Sequence, residues 1–284
     1  MESFFTFLER RVDDSSSLLC VGLDPHVSDL STSSRHGLSE PTAEAALDFC
    51  LNLVKQTASY AAAFKPNAAF FEQFGAEGWD ALKQVVAAIA KESARRGSMI
   101  PVILDAKRGD IASTAEAYAQ SAFETLGAHC ITLSPYLGKD SIDPFIANHE
   151  KGVFLLCKTS NPGAGDLQDL MVNAAQGSPV PVYEHVAMLA QQWNTKNNIG
   201  LVVGATQLEA LARVRLAAPG LWFLAPGVGA QGGDLEAALQ AGLRKDGKGM
   251  LIPVSRGISR AESPAKAAAE LRDQIMYIQY GLKK

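Results

Sequence analysis

The sequence predicts an α/β protein, a single (β/α)8 barrel of the TIM type preceded by a short N-terminal helix, with residues 1–284 forming one domain. Three observations carry that expectation. Short apolar runs alternate with longer Ala-rich segments whose apolar residues recur every three or four positions, the pattern of parallel strands joined by helical crossovers. Eight such runs can be placed along the chain, as a closed barrel of this length requires. Charged residues recur at the C-terminal ends of several runs, where a barrel collects its functional groups. An open doubly wound sheet is the alternative built from the same alternation.

The elements follow in order. Met1–Asp14 sets Phe4, Phe5, Phe7 and Leu8 among Glu2, Glu9, Arg10 and Arg11, a short amphipathic helix. The strands are expected at Leu18–Leu23, Ala62–Lys65, Ile100–Asp105, Cys130–Ser134, Val153–Lys158, Gly200–Val203, Trp222–Ala225 and Met250–Val254. Between them, helical spacing marks Glu44–Tyr60, Trp79–Arg95, Ser113–Leu126, Tyr183–Trp193 and Gln207–Leu216, with Pro264–Tyr280 closing the chain. Ser28–Ser39 is polar and Ser-rich and reads as a surface loop. Thr159–Pro181 carries Gly, Asn, Asp, Ser and Pro throughout and is long for a connection, a length usually kept for function.

Composition narrows the function. Hydrophobic residues make up 47% and charged residues 20%, enough apolar content for a core that buries a polar site. The net charge is −4 and no basic run occurs, which argues against a nucleic-acid surface but not against a small anionic ligand. No apolar stretch approaches the roughly 20 residues of a membrane span. The N-terminus lacks the unbroken apolar core of a signal peptide. The four cysteines, Cys20, Cys50, Cys130 and Cys157, form no CxxC pair and read as buried free thiols in a reducing compartment, so a cytoplasmic location is expected.

The third strand ends in Asp105-Ala106-Lys107-Arg108-Gly109-Asp110. Alternation along a strand puts Asp105 and Lys107 on one face, and Asp110 follows where the chain turns into a helix. Flanking anions favour a protonated lysine, and such a lysine in a water-poor pocket can donate a proton to a forming carbanion. The plainer reading is an Asp105–Lys107 ion pair with Asp110 capping the helix. Asp24, after the first strand, and Lys65, at the end of the second, bear on that choice. Three successive strands would then present Asp, Lys and Asp–Lys to one cavity, an arrangement costly to build without a use.

After the seventh strand comes Ala225-Pro226-Gly227-Val228-Gly229-Ala230-Gln231-Gly232-Gly233-Asp234, and after the eighth Ser255-Arg256-Gly257. Glycines let backbone N–H groups approach an anion, Gln231 offers an amide donor, and Arg256 offers a planar fork for phosphate oxygens. Phosphate binding after strands seven and eight recurs in this barrel class. The alternative is a flexible turn beside a solvated arginine.

Asp105-x-Lys107-x-x-Asp110-Ile111, with Thr114 beyond, resembles the signature of the orotidine 5′-phosphate decarboxylase family. Leu23-Asp24-Pro25, Lys65-Pro66-Asn67, Thr159-Ser160-Asn161-Pro162-Gly163, Pro226-Gly227-Val228-Gly229-Ala230-Gln231 and Arg256-Gly257 match family segments in order, nearly the whole length of the chain. The variant Asp-Ala-Lys-Arg-Gly-Asp-Ile is similar to the larger bacterial-type subgroup. The resemblance implies a carboxy-lyase that converts orotidine 5′-phosphate to UMP and carbon dioxide in pyrimidine biosynthesis, with neither metal nor organic cofactor. It implies that Lys107 protonates C6, that Asp105 and Asp110 hold Lys107 and crowd the substrate carboxylate, and that Lys65 and Asp24 contact the ribose. It further implies that Ser160 meets the pyrimidine and that Gln231, Arg256 and Gly257 take the phosphate. Asp110, Ile111 and Thr114 would reach into a neighbouring subunit's site, making a homodimer with shared active sites. No family pattern covers Gly163–Pro181, and Arg108 and Gly109 carry no expected role. Some members are fused to a phosphoribosyltransferase. Two alternatives stand beside this reading. One is a magnesium-dependent sugar-phosphate decarboxylase or aldolase on the same barrel, disfavoured because Lys65 stands where those relatives put a carboxylate. The other is a non-catalytic phosphate-ligand binding barrel.

Overall fold

A computed structural model describes residues 2–30, 41–173, 178–228 and 233–282. Ten strands are present among them. These are β1 Leu19–Leu23, β2 Ala63–Pro66, β3 Ile103–Arg108, β4 Cys130–Leu133 and β5 Gly152–Lys158, then β6 Met171–Val172, β7 Val180–Pro181, β8 Ile199–Val203, β9 Phe223–Leu224 and β10 Met250–Val254. Eight of them form one parallel sheet in the order β2-β1-β10-β9-β8-β5-β4-β3. Bridges Phe64↔Val102 and Asn67↔Asp105 join the two ends, with the Phe64 and Ala68 N–H groups donating to the Pro101 and Asp105 carbonyls at 3.0 and 3.1 Å. The sheet is therefore a closed barrel without free edges, as expected, and not an open doubly wound sheet.

The crossover helices lie close to their expected positions. Ala43–Thr57 starts after Thr42, whose hydroxyl accepts from the Ala45 N–H, and Gly75–Arg96 ends at Gly97 in the left-handed conformation. Ser113–Leu126 appears as Ala112–Gln120 followed by a π turn over Ser121–Thr125. Among the strands the largest shift concerns the third. Its ladder begins at Ile103, not Ile100, and runs on through the charged residues to Arg108. Within the long loop after β5, β6 and β7 form a small antiparallel hairpin that the sequence pattern did not indicate. Residues 31–40, most of the expected Ser28–Ser39 loop, lie outside the described residues, as do 174–177 and 229–232.

The N-terminal helix, Phe4–Ser15, closes the end of the barrel opposite the charged strand ends. The Phe4 N–H donates to the His149 carbonyl at 2.8 Å. Phe5 stacks on Trp222 and meets the edge of Phe154. Phe4, Phe5 and Leu8 are buried, each worth roughly 1.5–3 kcal/mol of apolar transfer. Gly152 opens β5 because a Cβ there would sit 2.1 Å from the Phe4 ring. Buried Arg11 ties this plug to the barrel, donating to the Ala61 carbonyl at 2.6 Å and to Ser98 Oγ at 3.1 Å. A plugged lower end leaves the C-terminal face as the barrel's open mouth.

Candidate active site

The charges at the strand ends meet. Lys65 Nζ lies 2.8 Å from Asp105 Oδ2, and Lys107 Nζ lies 2.6 Å from Asp105 Oδ1. Thr132, on β4, donates to Asp105 Oδ1 at 3.0 Å. Asp105 is thus the hub of a cation–anion–cation chain across β2 and β3. Burial alone would raise the Asp105 carboxyl, but the two ammoniums and their hydrogen bonds hold it well below the usual carboxylate range. Burial would likewise lower the Lys65 ammonium, yet Asp105 and Asp24 push it well above the ordinary lysine range. The pair is tightly enclosed, with side-chain exposures of 9% for Lys65 and 12% for Asp105. Lys107 is different: its side chain is 50% exposed, so in the single chain it stands at the mouth and not in the water-poor pocket that was expected.

Lys107 also departs from ordinary strand geometry. Its φ is +48°, in the left-handed region, where a residue with a Cβ is held only by its surroundings. The simple alternation of strand faces therefore does not account for the Asp105–Lys107 contact; a bulge between Leu104 and Arg108 does. Arg108, which had no expected role, pairs with Glu72 and lies over the Tyr118 ring, anchoring the strand's exit.

A cavity of ≈ 310 Å³ opens beside this chain of charges. Asp24, Lys65, Arg256 and Gly257 line it, together with Pro226, Gly227 and Val228 of the glycine-rich turn. Gly22 lets the ends of β1 and β10 come together, since a Cβ there would be 2.8 Å from the Ser255 Cβ. Asp24 Oδ1 and Ser255 Oγ are buried without a hydrogen-bond partner among the described residues. Both residues line the cavity, and a buried polar oxygen without a partner is costly. Arg256 is exposed at the rim, and no carboxylate pairs with it among the described residues. The Gly233 N–H donates to the Gly227 carbonyl at 3.1 Å and closes the base of the glycine-rich turn. Gln231, expected to grip an anion from that turn, lies outside the described residues.

Four further residues do not reach this cavity in the single chain. Asp110 Oδ1 accepts from the neighbouring Ile111 N–H at 2.8 Å and makes no ion pair with Lys107. Nor does Asp110 cap the next helix, which starts at Ala112 behind Ile111 without a side-chain cap. Ile111 is 53% exposed, and Thr114 lies exposed one turn on. Ser160 follows β5 and packs against Gly204, where a Cβ would lie 3.2 Å from the Ser160 Cβ. The stretch before Ser160 is held firmly: Gln168 accepts from the Thr159 N–H at 2.9 Å and donates to Thr159 Oγ1 at 2.8 Å, while Lys158 pairs with Asp169 at 2.6 Å.

Sequence reasoning missed Thr132, Ser255, His26 and Phe70. His26 and Phe70 line the cavity and meet edge to face at 4.4 Å between centroids. Ser255 could have been found from its place between the eighth strand and Arg256. Thr132 sits in an apolar strand and carries no signal of its own. Among the described residues, no group of three or more His, Cys, Asp or Glu side chains is placed to hold a metal ion. No helix among them is long and apolar enough to cross a membrane.

Chemically, the mouth offers a buried carboxylate, an exposed ammonium beside it, and a guanidinium at the far end of a cavity rich in glycine backbone. Such a site can bind a phosphate at one end and stabilise or protonate developing negative charge at the other.

Comparison with known proteins agrees along the length of the chain. A sequence model of the orotidine 5′-phosphate decarboxylase / HUMPS family matches residues 17–271. An orotidine 5′-phosphate decarboxylase of Roseiflexus castenholzii is 47% identical over 281 residues, covering 96% of this chain and 97% of that protein. The solved Leishmania donovani OMP decarboxylase superposes with a TM-score of 0.84 at 53% identity, covering 98% of this chain and 99% of that one. The Leishmania donovani UMP synthase superposes with a TM-score of 0.86 at 54% identity. The match covers 99% of this chain but only 57% of that longer protein.

Proposed function

The chain belongs to the orotidine 5′-phosphate decarboxylase / HUMPS family, and from that premise we propose that it converts orotidine 5′-phosphate to UMP and carbon dioxide. The observation that carries this reading is the Lys65–Asp105–Lys107 chain beside a cavity with an exposed guanidinium at its rim.

The site residues divide the work. Arg256, Gly257 and the glycine-rich turn that includes Gln231 take the phosphate, while Asp24 and Lys65 take the ribose hydroxyls. Asp24 Oδ1 supports that role, being a buried acceptor in need of a donor. Ser160 meets the pyrimidine edge. The base then lies with C6 toward Lys107 and its carboxylate toward Asp105, whose charge is held on by two lysines. Breaking the bond from C6 to the carboxylate releases carbon dioxide and leaves the electron pair at C6. Lys107 Nζ gives its proton to that pair, forming the C6–H bond, and recovers a proton from solvent. The two ammoniums stabilise the developing charge without moving, which is the main source of acceleration open to a site of this kind. Grip on the distant phosphate supplies the binding energy that holds the carboxylate near Asp105.

Turnover of orotidine 5′-phosphate, followed by absorbance with EDTA present, tests this. Undiminished turnover in EDTA is the expected result. No turnover removes the activity, and turnover abolished by EDTA favours a metal-dependent relative's chemistry.

The working unit in this reading is a homodimer with shared sites, and the whole chain acts as one catalytic domain. Three observations support the dimer. Asp110 makes no ion pair with its own Lys107, Ile111 and Thr114 are exposed, and so are Tyr136 and Leu137 after β4. An Asp24→Ala chain and an Asp110→Ala chain are each expected to be nearly inactive alone. Mixed, they recover up to roughly a quarter of wild-type activity, because a mixed dimer holds one site with neither change. Mixtures that exchange subunits yet stay inactive rule out sharing. A cytoplasmic location accords with four buried free thiols, which a reducing compartment preserves.

A further inference from the structure

Between Leu104, paired with Ile131, and Arg108, paired with Leu133, β3 takes four residue steps where β4 takes two. The backbone of Asp105, Ala106 and Lys107 therefore loses step with its neighbour, and its N–H groups need another acceptor. One atom supplies it. The Ala106 and Lys107 N–H groups both donate to Thr132 Oγ1, at 3.1 and 2.9 Å. Amide N–H groups only donate, so the hydroxyl keeps its own proton for Asp105 Oδ1, 3.0 Å away. The hydroxyl's bonding capacity is then full: two bonds accepted and one given. Thr132 is 1% exposed, so solvent does not compete for the hydroxyl itself.

We propose that Thr132 is a positioning residue for the reaction. Its hydroxyl holds the Lys107 backbone at φ +48° and orients the Asp105 oxygen that Lys107 Nζ meets. The inference rests on Lys107 acting as proton donor in the decarboxylation proposed above. The barrel itself needs no bulge at this point; β4 pairs regularly with β5 on its other side from Cys130 to Leu133. What needs the bulge is the present placement of Lys107: a regular strand would set it on the Asp105 face but about 6–7 Å further along the strand, not at the left-handed turn where it stands. Without the hydroxyl two part-buried N–H groups lose the acceptor they share, and the chain relaxes toward ordinary strand angles. The lysine then swings off its carboxylate. Groups that line the cavity for phosphate and ribose, Arg256 and Asp24, do not touch Thr132 and keep their places.

The test compares wild type with Thr132→Val, which keeps the shape and loses the hydroxyl, and Thr132→Ser, which keeps the hydroxyl and loses the methyl. Thr132→Val is expected to lower kcat roughly 100-fold, the cost of a displacement near 1 Å at a reacting group, with KM within about threefold. Thr132→Ser is expected to stay within about fivefold of wild-type kcat, since the hydrogen bonds carry the effect. Should Thr132→Val not fold, Thr132→Ala carries the same expectation without the crowding. A wild-type kcat in either hydroxyl-free variant overturns the proposal. So does a Thr132→Ser enzyme as slow as Thr132→Val, which would mean packing matters and the hydroxyl does not. A loss confined to KM overturns it as well. An inactive wild type defeats the activity reading and this inference with it, whereas an active wild type with an indifferent Thr132→Val defeats only this inference.

Discussion

Lys107→Ala lowers kcat by roughly 10⁴-fold or more, at the upper end of what one positioned acid contributes, because it removes both a proton donor and a charge from the mouth. The loss is chemical and not structural. The Lys107 side chain is 50% exposed, so its pairing with Asp105 adds at most about 1 kcal/mol to stability. Asp105 keeps Lys65 and the Thr132 hydroxyl when Lys107 is gone. Thermal melting of the variant should therefore stay close to wild type, and UMP, which lacks the departing carboxylate, should bind with an affinity within about tenfold of wild type, because Arg256 and the glycine-rich turn are untouched. Lys107→Arg is expected to fail as a rescue. A guanidinium keeps the charge but does not release its proton, and its planar fork does not fit the single contact at Asp105 Oδ1. Turnover by Lys107→Ala above about 1% of wild type would assign the proton to another donor.

Much of the barrel was legible because it is written in local periodicity. Strand-length apolar runs between helical spacings placed all eight barrel strands within a few residues. Asp24 and Lys65, at the ends of adjacent runs, could be set at one mouth from the sequence. Pro101 helps explain the error at β3. Its carbonyl accepts from Phe64, but it has no N–H for a ladder, so the paired strand starts three residues later than the apolar run. The strand was expected to end at Asp105, although the alternation used for Lys107 ran past it, and it continues to Arg108. Its bulge is completed by Thr132, 27 residues further on, and a contact of that range leaves no trace in a local pattern. Asp110 shows a different limit. The motif spacing put it with Lys107, yet within one chain it turns to its own neighbour's N–H. Whether its duty lies in another subunit is a matter of assembly, which one chain's periodicity does not encode. The plug formed by Phe4, Phe5 and Leu8 was readable as an amphipathic helix, but its place under the barrel depended on Gly152 leaving room for a ring.

Asp105→Asn is expected to cost both activity and stability, which separates it from Lys107→Ala. The substitution keeps the side chain's size and removes the charge that two lysines share. Lys65 is the sensitive partner, an ammonium only 9% exposed whose remaining carboxylate neighbour is Asp24. Stranding a buried cation in this way costs about 3 kcal/mol, at the low end of the range for a broken buried pair because Asp24 still compensates in part. Catalysis falls by roughly 10³-fold or more, since Lys107 is then no longer held against the reacting carbon and the charge facing the substrate carboxylate is gone. The pH dependence fixes the origin of the stability loss. The folded Asp105 carboxyl titrates below its unfolded value of about 3.9, so its contribution is complete above that pH and vanishes as pH falls through the folded value. Lys65 titrates above its unfolded value of about 10.4, so its share is complete below that pH and erodes only as pH rises beyond it. Denaturant melts of wild type and Asp105→Asn should differ by a constant amount from about pH 5 to 9, and the gap should narrow progressively below about pH 4. A gap that widens in acid would contradict the depressed Asp105. A variant more stable than wild type at pH 7 would mean that the charge chain is itself a strain, one that the fold tolerates because the reaction needs it.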